Sequence, residues 1–206
     1  MRLSILMFVI FAVITAALVM NGKSPFTPQN TQVANLYQGS GETNLDLSSP
    51  DNILLLDLAQ GQVVIQMRPD LAPRHVARIK ELVRQGFYDG VVFHRVLQGF
   101  MAQTGDPLGT GMGGSGIKLA GEFSQQKFVR GVVGMARSQG NDSADSQFFI
   151  MLGDGRWLDG EYTVWGQVLD GMDAVSALKL GDRAQNGKID GTPDKVLRMR
   201  IKSDLE

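Results

Sequence analysis

The chain has no cysteine among its 206 residues. That excludes disulfide frameworks, thiol catalysis and Cys-ligated zinc or iron–sulfur sites. Histidine is nearly absent as well. His75 and His94 are the only two, too few for a multi-histidine metal site. Neither sign of charge is in excess: 20 basic residues stand against 21 acidic ones, a net charge of −1, so no overall basic surplus draws the chain to nucleic acid. Internal repeats are also lacking. What is present is ordinary for a folded protein, with 43% hydrophobic and 20% charged residues, which excludes disorder throughout. The length suits one domain or at most two small ones. Glycine is the surplus, at 25 residues, against a usual share of about 7%. Helix interiors tolerate glycine poorly, so strands and shaped loops are favoured over a helical bundle.

The first twenty residues stand apart. Arg2 is the only charge before Lys23, and Leu3 to Met20 reads LSILMFVIFAVITAALVM. An apolar run of about 18 residues lies at the lower limit for crossing a bilayer. A cleaved signal peptide would show a shorter apolar core and a small-x-small site. Thr15-Ala16-Ala17 is a passable site, but it leaves Leu18-Val19-Met20 on the mature end. A buried core helix would carry a polar face. Residues 1–20 therefore read as a signal anchor or signal peptide, the anchor being preferred. In either case the rest of the chain is expected to be exported, because Arg2 and the N-terminus favour the cytoplasmic side. An anchored form would sit on the periplasmic face of the cytoplasmic membrane, a cleaved form in the soluble periplasm. Residues 21–50 are rich in Asn, Gln, Ser, Thr, Gly and Pro and lack apolar periodicity, as in a flexible linker. Phe26, Leu36 and Tyr37 are its only anchors for a partner. Residues 51–206 form the expected domain.

Two alternating runs, Ile53 to Leu58 and Gln62 to Met67, are joined by Ala59-Gln60-Gly61 and predict a hairpin. Pro73 suits the first turn of a helix whose inner face is Val76, Ile79, Leu82 and Val83, closed by Gly86. Further strands are expected over Val91–Leu97, Phe100–Thr104, Val132–Ala136, Gln147–Leu152, Thr163–Leu169 and Val196–Lys202. A second short helix fits Met172–Leu178. Strands do not alternate with helices, which argues against a doubly wound sheet. The pattern favours a closed or sandwich-like antiparallel structure with one or two covering helices.

Several apparent motifs fail on context. Gly109-Thr110-Gly111-Met112-Gly113-Gly114 matches a dinucleotide-binding glycine pattern, but no helix periodicity follows it. Gly22-Lys23-Ser24 lacks the leading glycine of a P-loop, Ala17 standing in its place, and no Gly-x-Ser-x-Gly supplies a serine-hydrolase elbow. Asp182 to Gly187 hints at a calcium loop, yet Ala184 and Pro193 stand where ligands are needed. The informative stretch is Phe93 to Asp106. Continuous strand alternation would place Phe93 and Arg95 on one face. His94 would then be structural if it points into the core. Arg95 lies in an apolar strand, where a guanidinium must be paired or must face a functional cleft. Phe100, Met101, Phe149 and Leu158 would each be core residues by default.

Phe93-His94-Arg95, followed by Gly99-Phe100-Met101-x-Gln103-x-Gly105-Asp106, resembles the hallmark of the cyclophilin peptidyl-prolyl isomerases. The resemblance continues through Gly111-Met112-Gly113-Gly114, Gly121-Glu122-Phe123 and Val133-Gly134-Met135-Ala136. It extends further through Ser146-Gln147-Phe148-Phe149-Ile150, Trp157-Leu158-Asp159-Gly160 and Val164-Trp165-Gly166. Ordered motifs spread over about residues 50–206 are far more specific than one short pattern.

The resemblance implies a mainly β fold, a closed eight-stranded antiparallel barrel capped by two helices. It implies isomerisation of X–Pro bonds in exported proteins, assisting folding, without cofactor or metal. Arg95 would be the catalytic arginine. Phe100, Met101, Phe149 and Leu158 would line the proline pocket, with Gln103 and Gln147 as its polar floor. Ala136 and Arg137 would bind substrate backbone, Gly111 would flank the neighbouring pocket, and Trp157 would mark a rim position associated with cyclosporin. Two residues depart from the common pattern: Tyr162 replaces a rim histidine, and Arg137 stands where an asparagine is frequent. The loop Ser138 to Asp145 is also slightly longer than in the common eukaryotic form. The partners implied are proline-containing polypeptides, cyclosporin as an inhibitor and the membrane through residues 3–20. No nucleic acid is implied, and a monomer is expected. The competing class is a proline-segment binding module or holdase with little catalysis. Proteins of that kind usually lose the arginine or the pocket aromatics, both present here.

Overall fold

A computed structural model describes residues 46–206. The leader, and the linker up to residue 45, lie outside the described residues. The hairpin forms as its alternation requires. β1 (Ile53–Leu58) and β2 (Gly61–Met67) pair antiparallel from Ile53↔Gln66 to Leu58↔Gly61. Leu54, Leu56, Val63, Ile65 and Met67 point into the core and are fully buried.

Helix α1 (Pro73–Arg84) starts at a proline whose missing N–H costs nothing in the first turn. Its N-cap, Ala72, offers no side-chain acceptor. Glu122, from a loop far along the chain, supplies one instead. Its carboxylate accepts the backbone N–H groups of Arg74 at 3.1 Å and His75 at 3.0 Å, and it meets His75 Nδ1 at 2.6 Å. A distant acidic side chain thus serves the helix N-terminus and one nitrogen of a fully buried imidazole together.

The remaining strands are β3 (Arg95–Leu97), β4 (Met101–Thr104), β5 (Val132–Met135), β6 (Phe148–Met151), β7 (Val164–Asp170) and β8 (Arg198–Ile201), with α2 (Met172–Ser176) before β8. All pairings are antiparallel, in one eight-stranded order β3-β4-β6-β5-β7-β2-β1-β8. No ladder joins the two end strands, β3 and β8. The chain leading into β8 crosses that gap by single contacts instead. These include the isolated bridges Val92↔Lys195 and Arg95↔Lys188 and the hydrogen bond Val96 N to Gly187 O, 2.9 Å. Among the described residues no helix is long and apolar enough to cross a membrane.

One expected strand is shorter than its hydrophobic run. Val91–Leu97 becomes strand only at Arg95. The Thr104 hydroxyl donates to the Val92 carbonyl at 2.9 Å, so a side chain takes the place of a ladder partner there. Regular alternation is therefore broken before Arg95, and Phe93 and Arg95 do not share a face. Phe93 is buried in the main core, whereas Arg95 lines a cleft.

Period-two alternation along β4 and β6 sorts side chains between two apolar clusters. Ala102, Phe148 and Ile150 join the main core, which also holds Trp165 and the inner faces of α1 and α2. Met101, Phe149 and Met151 face the other way, into a smaller cluster with Phe128, Val132, Leu158 and Val164. Gly134 separates two rings of that cluster. A Cβ there would lie 2.5 Å from Phe149 Cζ and 2.6 Å from Phe128 Cε1.

The glycine-rich loop after β4 is pinned by two buried carboxylates. Asp106 accepts N–H groups from Leu108 (2.8 Å), Thr110 (2.9 Å) and Gly111 (2.6 Å). Asp145 accepts those of Ser115 (2.6 Å) and Gly116 (3.1 Å). Burial alone would raise the Asp106 pKa. The N–H groups of Leu108, Gly113, Gly111 and Thr110 together outweigh it and hold the carboxyl below the usual range. A group whose pKa is depressed by folding stabilises above its unfolded value, about 3.9, and loses that contribution as pH falls through the folded value. Asp106→Asn is therefore expected to be less stable than wild type at neutral pH, with the gap closing in acid. Urea unfolding from pH 7 downward measures it, and a gap that stays constant into acid refutes the assignment.

Candidate active site

Arg95, at the start of β3, faces a cleft of about 400 Å³. Its neighbours across the sheet follow from register. Arg95 lies opposite Gln103 on β4, and Gln103 lies opposite Phe149 on β6. The guanidinium is held on three sides. Nε donates to the Asn186 carbonyl at 2.8 Å, Nη2 to Asn186 Oδ1 at 2.8 Å, and Nη1 to Gln103 Oε1 at 3.1 Å. Burial pulls the Arg95 pKa below the ordinary arginine value. An arginine keeps its proton at neutral pH even so.

The hydrogen bonds continue beyond Gln103. Its Nε2 donates to Gln147 Oε1 at 2.9 Å. Gln147 Nε2 in turn donates to the carbonyls of Gly111 at 3.0 Å and Gly113 at 2.8 Å. Gln103 lines the cleft, while Gln147 lies behind it and ties the β4–β6 floor to the glycine-rich loop. Gly111 borders the cleft beside His94, whose Cδ2 would be 3.6 Å from a Cβ at that position. Burial lowers the His94 pKa from 6.5, with Asp106 acting in the opposite sense, so the ring is neutral at pH 7. His94 lies on the cleft wall, not in the core, and neither ring nitrogen has a hydrogen-bond partner among the described residues.

Below Arg95 the wall is apolar: Phe100, Met101, Phe149 and Leu158. The guanidinium carbon stands 6.0 Å from the Phe100 ring centroid. Trp157 lies outside the cleft, 67% exposed, with its ring centred 5.3 Å from that of Phe100. Ala136 and Arg137 follow β5 directly and form the opposite wall with Tyr162. The two departures from the resembled pattern touch each other. Arg137 Cζ lies 4.7 Å from the Tyr162 ring centroid, and Tyr162 meets Phe149 edge to face at 5.9 Å. Arg137 is fixed further by donating to the carbonyls of Glu161 (3.1 Å), Ser138 (3.1 Å) and Gln139 (3.3 Å).

The cleft therefore gathers every residue expected from sequence except Gln147, which braces it from behind, and Trp157, which stands at its rim. It also includes His94, Thr110, Gln185, Asn186 and Lys188, none of which the sequence motifs mark as site residues. In sequence, Asp182 to Gly187 only hints at a calcium loop. Asp182 instead caps the short 3₁₀ turn Arg183–Gln185, accepting Ala184 N at 2.8 Å, and Asn186 follows it at the cleft. Such an arrangement sets the oriented Arg95 guanidinium beside an apolar wall.

Comparison with known proteins places this site in context. The model of the family described as cyclophilin type peptidyl-prolyl cis-trans isomerase matches residues 53–201. Probable peptidyl-prolyl cis-trans isomerases of Brucella suis and Brucella melitensis are each 52% identical over 171 residues, 77% of this chain and 87% of theirs. The crystal structure of a cyclophilin from Hirschia baltica is similar with a TM-score of 0.68 and 29% identity, covering 77% of this chain and 76% of that one. A cyclophilin type isomerase of Cryptosporidium parvum, solved in the presence of the dipeptide Ala-Pro, has a TM-score of 0.65 and 26% identity, covering 72% and 98%.

Proposed function

The chain belongs to the cyclophilin-type peptidyl-prolyl cis-trans isomerases, and we propose that it turns X–Pro bonds by directing Arg95 at the prolyl nitrogen. The isomerase activity is that of the family and of the named relatives. The chemistry starts from the amide. Its C–N bond is partly double, and rotation faces a barrier of about 18–20 kcal/mol. Uncatalysed exchange takes tens to hundreds of seconds. At the twisted transition state conjugation is lost, and the proline nitrogen regains a basic lone pair. A guanidinium near that nitrogen donates a hydrogen bond that the planar ground state accepts poorly. This is binding selective for the transition state, strengthened in a partly dry cleft. Phe100, Met101, Phe149 and Leu158 hold the ring while the preceding carbonyl turns. The Ala-Pro dipeptide used with the Cryptosporidium parvum relative supports a proline-containing ligand for this wall.

The observation that carries this assignment is the Arg95 guanidinium, held by three hydrogen bonds beside the apolar wall of Phe100, Met101, Phe149 and Leu158. A module that only bound proline segments would not need it. In a protease-coupled isomerisation assay, Arg95→Ala is expected to fold normally and lose about 10²–10³-fold in kcat/KM. Wild-type efficiency in the folded variant would overturn the assignment.

Trp157 supports a second element of the proposal, inhibition by cyclosporin. Its exposed indole, packed against Phe100 at an interplanar angle of 38°, carries an N–H donor. Tyr162 and the loop Ser138–Asp145 reshape the adjacent wall and are expected to cost affinity. Trp157→Phe keeps an aromatic ring beside Phe100 and deletes the donor, so it is expected to weaken inhibition. Unchanged inhibition would remove the indole as the determinant.

The clients we propose are exported chains, met on the far side of the cytoplasmic membrane. Leu3 to Met20 would span about 27 Å as a helix, close to the hydrocarbon thickness of about 30 Å. The linker that follows would reach about 30 Å as a coil. Fractionation with N-terminal sequencing tests this. Membrane recovery with residue 1 intact is expected. Soluble periplasmic protein starting at Leu18 would replace the anchor by a cleaved signal, and cytosolic protein with Met1 intact would refute export.

A further inference from the structure

Resting on the reading of Arg95 as the catalytic group, we infer that Asn186 is a positioning residue of the isomerase. The two residues lie 91 positions apart, and Asn186 meets the guanidinium twice, through its backbone carbonyl and through Oδ1, both at 2.8 Å. Two contacts on adjacent donors fix the plane of the fork as well as its position. Gln103 holds the opposite terminal nitrogen at 3.1 Å. Each terminal nitrogen then keeps one uncommitted N–H.

The backbone at Asn186 sharpens the argument. Its φ of 57° lies in the left-handed region, and it is the one non-glycine residue with positive φ among the described residues. Glycine meets that conformational demand at least cost, and asparagine is among the few side chains that tolerate it. A glycine would make the turn and leave the carbonyl contact in place, but it would supply no Oδ1. The side chain is thus the part of Asn186 that the turn itself does not require.

The loop behind it is rigidly set. Gly187 N donates to the Asp182 carbonyl at 2.7 Å, Asp182 N to the Lys188 carbonyl at 2.9 Å, and Val96 N to the Gly187 carbonyl at 2.9 Å. Gly187 itself has φ +81°, and a Cβ there would lie 2.6 Å from Leu97 Cγ. The loop is therefore seated directly on β3, the strand that carries Arg95. A displacement of about 1 Å in a reacting group can cost on the order of 10²-fold in rate, so the tether acts on turnover more than on binding.

The test is a set of variants assayed for kcat and KM. Asn186→Gly deletes Oδ1 and keeps the turn; kcat is expected to fall about tenfold with KM nearly unchanged. Asn186→Asp restores an acceptor and is expected to recover activity to within about threefold of wild type. Combining Arg95→Ala with Asn186→Gly is expected to cost no more than Arg95→Ala alone, because the asparagine acts through the arginine. Both single variants at position 186 should melt close to wild type. Full activity of Asn186→Gly, an additive loss in the double variant or a large fall in melting temperature overturns the positioning role alone. Full activity of Arg95→Ala overturns the reading of Arg95 and this inference with it.

Discussion

A guanidinium set half-buried beside an apolar wall needs hydrogen-bond acceptors to offset its lost hydration, because an uncompensated buried charge is costly. Much of the site is organised by that demand at Arg95. Asn186 and Gln103 satisfy three of its donors. Gln103 is then committed to the network, and Gln147 completes its hydrogen bonding and passes the connection to the carbonyls of Gly111 and Gly113. One charge thereby links three chain segments that are distant in sequence: the floor of β4 and β6, the glycine-rich loop, and the turn before β8. Each fixes the others, and the result is a pre-set cation requiring little rearrangement when a peptide arrives.

The sheet allows this polar chain without spoiling its own stability because alternation divides the labour. On β4 and β6, one set of side chains enters the main core with α1 and α2, and the next set forms the floor of the cleft. Stability rests mainly on the first face, recognition on the second. The carboxylates follow a similar division. Glu122 caps α1 and pairs with His75, whereas Asp106 and Asp145 hold the loop that borders the cleft. In each case an acidic side chain collects backbone N–H groups that would otherwise be buried without partners.

The wall opposite Arg95 shows how paired replacements can keep a surface intact. Arg137 and Tyr162 both depart from the resembled pattern, and they pack on each other as cation and ring. Arg137 spends most of its donors on the carbonyls of Ser138, Gln139 and Glu161. It therefore acts on this wall as a brace for the adjoining loop, while its charge remains at the cleft edge.

Local signals in the sequence were enough to determine the hairpin of β1 and β2, the start of α1 at Pro73, and most strand positions. Side-chain period and turn residues act within a few neighbours. Arg95, Gln103 and the apolar wall were pointed to by the resemblance of ordered motifs, while the default reading of the wall residues was core, and the fold brings them to one cleft. Tertiary structure alone decided the rest. Val91 to Leu97 looked like one strand, but a hydroxyl from β4 shortened it and turned Phe93 away from Arg95. Asp182 to Gly187 looked like a failed metal loop, and only the register between that segment and β3 brought Asn186 to the guanidinium. Glu122 capped a helix from 47 residues away. Such partners are chosen by how the chain closes on itself, and no local pattern encodes a contact whose two halves meet only after folding.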